Sequence, residues 1–112
     1  MIYKNDKIFI AGHKGLVGSA ILRKLKNHGY KNLITIEKKN LDLTNQSAVQ
    51  KFLSKHKPKI IFLAAAKVGG IYTNKEHKAE FIYENLMIQT NIIHSAFKAG
   101  TKNLVFLGSS CI

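Results

Sequence analysis

The chain alternates two hydrophobic rhythms. Lys7-Ile8-Phe9-Ile10-Ala11 is a short apolar run that stops at Gly12, the pattern of a strand buried on both faces of a parallel sheet. From Leu16 to His28 the period lengthens. Leu16, Val17, Ala20, Ile21 and Leu25 share one helical face, Arg23, Lys24, Lys26 and Asn27 the other, and Gly29 stands at the stop. Leu33-Ile34-Thr35-Ile36 predicts a second strand, closed by Glu37-Lys38-Lys39-Asn40. Thr44 is placed to cap a helix from Asn45 to Lys55 with Val49, Phe52 and Leu53 as its apolar face, and Pro58 marks the exit. Ile60-Ile61-Phe62-Leu63 predicts a third strand. After Gly69-Gly70, the spacing of Phe81, Ile82, Ile88, Ile92, Ile93, Ala96 and Phe97 predicts a long helix from about Glu76 to Phe97, ended by Gly100. Leu104 to Leu107 predicts a fourth strand. Strands separated by helical stretches imply βαβ crossovers, so the expected fold class is α/β, a Rossmann-like parallel sheet with flanking helices.

Composition narrows the classes. With 112 residues the chain has the length of one small domain, and 46% hydrophobic residues exclude disorder. The single cysteine forms no internal disulfide, and Met1 to Asp6 lack the apolar stretch of a signal peptide. Both point to a reducing, cytoplasmic setting. No apolar run reaches membrane-spanning length, so no membrane partner is expected. The balance of 18 Lys and Arg against 6 Asp and Glu gives +12 and invites a nucleic-acid reading. Yet Arg23 is the only arginine, and the lysines are spread along the sequence, so they read as a solvated surface with a few reserved for an anionic ligand. No nucleic-acid partner is expected. The sequence ends on Gly108-Ser109-Ser110-Cys111-Ile112, a strand running into a functional turn. Residues 1–112 are therefore expected to be an incomplete domain, cut after the strand that carries this turn.

The candidate chemistry lies at the carboxyl ends of the strands. Gly12-His13-Lys14-Gly15-Leu16-Val17-Gly18 joins strand one to helix one. There the first glycine permits the turn, the second admits a pyrophosphate, and the third lets helix pack on sheet. Free N–H groups and the helix dipole favour the diphosphate. Glu37 stands where a carboxylate accepts the ribose hydroxyls of NAD. Lys14, Lys38 and Lys39 offer a 2′-phosphate site instead, which favours NADP (NADPH) over NAD. Asp42 is either an acceptor for the adenine amino group or a turn residue. Ala64, Ala65 and Ala66 either leave room for a ligand over the sheet or serve close packing. Leu107 and Gly108 are candidate cofactor contacts, and Ser109 with Cys111 places a hydroxyl and a thiol on the same rim. The five histidines show no metal spacing, so no metal site is expected.

Four segments carry a resemblance. Ala11 to Ile21, Leu63 to Ile71, Phe81 to His94 and Phe106 to Ile112 closely resemble the GDP-L-fucose synthase family of the extended short-chain dehydrogenase/reductases. The resemblance spans about Ile8 to Ile112. Lys67-Val68-Gly69-Gly70 and Gly108-Ser109-Ser110-Cys111 are its most specific parts. It implies an NADPH-dependent enzyme that epimerises C3 and C5 of GDP-4-keto-6-deoxy-D-mannose and then reduces C4. Ser109 would hold the C4 oxygen and Cys111 would act as acid or base at the epimerised carbons. It also implies a homodimer of the complete enzyme, formed through helices of this domain. The family's Tyr-x-x-x-Lys pair is missing. Tyr30, Tyr72 and Tyr83 have no lysine four residues on, and Tyr3 with Lys7 precedes the glycine loop. The chain alone is therefore expected to be inactive. Two further readings remain open at this point: a non-catalytic NADP-binding module, and a relative acting on another GDP-4-keto-deoxy sugar.

Overall fold

The structure, a computed structural model, describes residues 2–64 and 71–107, with the backbone alone at 71–78 and 81. Four strands and three helices alternate: β1 (Ile8–Ala11), α1 (Leu16–Asn27), β2 (Leu33–Ile34), α2 (Gln46–His56), β3 (Ile60–Leu63), α3 (Ile71–Ala99) and β4 (Asn103–Phe106). All pairings are parallel and the sheet order is β2-β1-β3-β4. Ile8 registers with both Leu33 and Ile60, and Ile60 with Asn103. The chain steps from β1 to one side and then returns to the other. The β1–β3 crevice is thus the point where strand order reverses, and ligands of open α/β sheets bind at the carboxyl side of such a crevice.

The apolar runs of β1 and β3 are buried because the sheet is covered twice. Phe9, Ala11, Ile61 and Leu63 face α2 and α3, where Val49, Leu53, Ile92 and Ala96 meet them. Ile8, Ile10 and Ile60 face the other layer, with Ile21, Leu22 and Leu25 of α1 against them. Phe52 stacks at a tilt on Phe9, ring centroids 5.0 Å apart. Gly29 and Gly100 end α1 and α3 with the same bond pair. At Gly100 its own N–H reaches Phe97 O and that of Thr101 reaches Ala96 O.

Several expectations shift. The buried face of α1 is Gly18, Ile21, Leu22 and Leu25, spaced three and four apart, while Leu16, Val17 and Ala20 are exposed. The reason is the close seat of Gly18, which sets the rotation of the helix and turns its first residues outward. β2 is two residues long, and Ile36 packs beside the core beyond it. Asn45, not Thr44, caps α2: its Oδ1 accepts from Ala48 N at 3.1 Å. α3 begins at Ile71 rather than near Glu76. Thr73 and Asn74 are weak helix formers that blur the pattern. Ile82, Ile93 and Phe97 of the expected apolar face are exposed, Phe97 at 80%.

Three lysines far apart in the sequence come together once the chain is folded. Lys7, Lys59 and Lys102 each precede a registered strand residue, so they form a row across β1, β3 and β4 at the amino edge of the sheet. Lys59 N donates to Lys7 O at 2.8 Å, which fixes the first pair. Neighbouring strands lie about 4.8 Å apart, and all three side chains are exposed. Among the described residues the ion pairs are those of Lys14 and Lys39, so the row is uncompensated. Like charges on adjacent strands destabilise by roughly 0.2–1 kcal/mol a pair. Changing all three to Gln is expected to raise Tm by a few degrees at low salt. The gain should fade at about 1 M salt, where screening shortens to ~3 Å. A triple variant that melts no higher in thermal scans removes the argument.

Candidate functional site

The loop after β1 is shaped by one close approach. Gly12 takes φ 91°, a left-handed turn out of the strand that glycine adopts freely. Gly15 N returns to Gly12 O at 3.2 Å, and Ser19 N to Gly15 O at 2.8 Å starts the helix. A Cβ on Gly18 would lie 1.9 Å from Gly12 O and 2.7 Å from Gly12 C, so helix and loop meet at backbone distance. Gly15 is different. Its φ is −73° and a Cβ there would sit 3.5 Å from Gly12 O, an ordinary contact. The fold does not require glycine at 15, and its bare Cα leaves the front of the loop open. No side chain caps α1 and no acid occupies its first turn, so its N–H groups and positive dipole end are available to an anion. These features fit a diphosphate.

Beside the loop lies a cavity of about 690 Å³, within the range of small-molecule sites. Its floor is Phe9, Ala11 and Ala64 at the strand ends, and its rim is Gly12, His13, Lys14 and Gly15. The turn from Ile36 to Thr44 forms one wall, with Lys38 and Asp42 in it. α3 forms the other. Its 29 residues span about 44 Å, whereas a four-residue strand covers about 13 Å. The helix therefore overhangs the carboxyl edge, where Tyr83, Met87 and Ile88 line the cavity. A smaller recess of about 370 Å³ adjoins it, bounded by His13, Thr35, Glu37, Lys39 and Asn40.

Charges on this rim are arranged around Glu37. Lys14 Nζ is 3.1 Å from Glu37 Oε1 and Lys39 Nζ 3.5 Å from Oε2. The hydrogen bond and charge of Lys14 hold the Glu37 carboxyl below the usual range, outweighing desolvation, with lesser help from Lys39 and His13. Asp42 forms a tight Asx turn: its Oδ1 accepts from Thr44 Oγ1 at 2.6 Å and from Thr44 N at 3.0 Å. These two bonds, the hydroxyl first, lower its pKa. Only Oδ1 is taken by Thr44, so a carboxylate oxygen remains for a ligand.

The structure thus gathers Gly12, His13, Lys14, Gly15, Lys38, Asp42 and Ala64 around one cavity. Gly18 is buried beneath the loop, and Leu16 and Val17 stand outside the cavity, Leu16 88% exposed. Leu107 N donates to Leu63 O at 3.2 Å, off the cavity lining. Ala65, Ala66, Gly108, Ser109 and Cys111 lie outside the described residues. The α3 wall escapes sequence reasoning. Tyr83 and Met87 read as positions on a long helix, and only the overhang makes them cavity residues. Among the described residues no three of His, Cys, Asp and Glu converge on a metal position, and no helix is long and apolar enough to cross a membrane.

A parallel sheet with a glycine turn, an uncapped helix start and a cavity at the strand-order reversal defines a Rossmann-like α/β unit. Residues 8–112 match the NAD dependent epimerase/dehydratase family, and the chain belongs to it. It is 58% identical to GDP-L-fucose synthase 1 of Arabidopsis thaliana over 109 residues, which is 97% of this chain and 34% of that protein. It is 47% identical to GDP-L-fucose synthase of Escherichia coli, over 96% of this chain and 33% of that protein. Among solved structures it superposes on the GDP-mannoheptose C4 reductase of Campylobacter jejuni with NADP bound. That match has TM-score 0.92 and 46% identity, over 96% of this chain and 34% of the other. The chain spans about a third of the length of these relatives.

The two glycines separate fold from binding. Gly18→Ala is expected to cost at least about 3 kcal/mol, since backbone must move. Gly15→Ala should change stability by less than about 1 kcal/mol yet weaken dinucleotide binding at least about tenfold. Denaturant melts with a cofactor titration check both. A Gly15→Ala protein that binds normally would refute the cradle.

Proposed function

We propose that this chain forms the NADPH-binding part of a GDP-L-fucose synthase, which converts GDP-4-keto-6-deoxy-D-mannose to GDP-L-fucose. The observation that carries the proposal is the glycine cradle opening on the α3-walled cavity, in a chain resembling fucose synthases along its length. When bound, NADPH supplies the hydride for the C4 ketone. The loop N–H groups hold the pyrophosphate and Asp42 receives the adenine amino group. Ser109 steadies the C4 oxygen and Cys111 exchanges the protons at C3 and C5, roles implied by the resemblance. Residues 1–112 act as the cofactor-binding domain, and the Tyr-x-x-x-Lys spacing that completes the chemistry occurs in this sequence only at Tyr3 and Lys7, ahead of the glycine loop. The single cysteine supports a cytoplasmic setting. The likeness to a GDP-mannoheptose C4 reductase supports a second reading, reduction of a related GDP-linked keto sugar on the same cradle.

The rim supports a preference for NADPH over NADH. Lys14 and Lys39 already engage Glu37, so its carboxylate is not free to take a ribose hydroxyl. With Lys38 the cluster is three cations against one anion, suited to a 2′-phosphate. Fluorescence titration is expected to give at least about tenfold tighter binding of NADPH than NADH. Glu37→Gln should widen that ratio by a few-fold, by releasing both lysines. The same chain with the GDP-keto sugar should not consume NADPH. Failure to bind NADPH overturns the function, and steady oxidation overturns the need for the missing pair.

The exposed residues Ile82, Leu86, Ile93 and Phe97 fall on one stripe of α3. They support a homodimer formed helix to helix. Sedimentation should show a dimer that Phe97→Asp dissociates, and a monomeric parent protein would remove the interface.

A further inference from the structure

We infer that Asn91 is a positioning residue for adenine selectivity, acting through the turn that holds Asp42. The inference rests on the dinucleotide reading of the cavity. Asn91 lies on α3, 8% exposed, between the core positions Ile88 and Ile92. An amide in such a place is costly unless its groups are satisfied, and an alanine or leucine would suit a purely packing role. Its Nδ2 donates to the carbonyl of Leu43 at 2.9 Å, across 48 residues of sequence. Leu43 stands between Asp42 and Thr44, the two residues of the Asx turn.

The bond joins two walls of one cavity. Met87 and Ile88, one turn before Asn91, line the α3 side, and Asp42 and Leu43 line the other. Thr44 occupies Asp42 Oδ1 from within the turn, so the turn sets how the carboxylate stands. Asn45 then caps α2, so the helix begins directly after the turn. Asn91 ties this turn to α3 by a side-chain hydrogen bond, beside the apolar packing of Leu43 on the core. Releasing it frees the Asp42 turn to shift against the α3 wall while the glycine cradle stays in place. The pyrophosphate and 2′-phosphate contacts should persist, and the base contact should loosen.

The test compares NADPH with its hypoxanthine analogue, in which a carbonyl oxygen replaces the amino group. Against Asp42 that oxygen sets acceptor against acceptor. The protein is expected to prefer NADPH by about tenfold, the worth of one hydrogen bond to a charged acceptor. Asp42→Ala should abolish the preference. Asn91→Ala, and Asn91→Leu which refills the space, should each cut it to within about twofold, with binding of the analogue nearly unchanged. In the Asp42→Ala background neither Asn91 change should alter the ratio further. A parent protein with no preference overturns the Asp42 contact and the inference with it, while NADPH binding itself still stands. A preference lost in Asp42→Ala but kept in both Asn91 variants overturns the inference alone. So does failure of both Asn91 variants to fold, because that makes the residue a support of the core.

Discussion

Everything at the carboxyl edge depends on the contact between Gly18 and Gly12. With a Cβ only 1.9 Å from the Gly12 carbonyl oxygen, helix α1 can sit where it does only without a side chain at that point. That seat fixes the rotation of the helix. It sends Ile21, Leu22 and Leu25 into the sheet and holds the first turn over the loop with its N–H groups uncapped. Packing and binding thus share one origin. The atom that cannot be added at Gly18 is what brings the helix dipole to the cavity, and the atom that could be added at Gly15 is the one that would close the space in front of it.

Helix α3 solves a second problem with length. Its lower half buries Ile92 and Ala96 in the core, while its upper half rises past the strands and becomes a wall. The cavity therefore exists because the helix is longer than the sheet it covers. The same half presents Ile82 and Leu86 outward, so inner and outer faces of one segment serve different surfaces. The hydrogen bond from Asn91 to Leu43 ties this wall to the opposite one.

Much of this was legible in the sequence where local physics decides. The unbroken run Ile60–Leu63 matches β3 residue for residue, because a strand buried on both faces needs no alternation. Gly12 and Gly18 are readable because backbone sterics are local. What stayed hidden is set by register or by distant neighbours. Leu16 and Val17 carry the right character for a buried face, but the Gly18 contact turns them away. Thr44 looks like a cap, yet it is spent on Asp42, and Asn45 takes that role. Asn91 interrupts an apolar stripe, which reads as noise until its partner 48 residues away is known. The lysine row has no signature along the chain at all, since Lys7, Lys59 and Lys102 become neighbours only through strand pairing.

The placement of charge has a kinetic consequence. Around the two adjoining cavities Lys14, Lys38 and Lys39 stand on one rim, two of them held on Glu37. Most of the chain's positive charge lies away from this mouth, part of it in the lysine row at the far edge of the sheet. A polyanionic cofactor approaching from solution is therefore drawn to the whole surface as well as to the mouth. Local contacts with Lys14, Lys38 and Lys39 must do the final sorting. The association rate will then fall as ionic strength rises, because salt screens the long-range pull of the basic surface more than the close contacts at the rim.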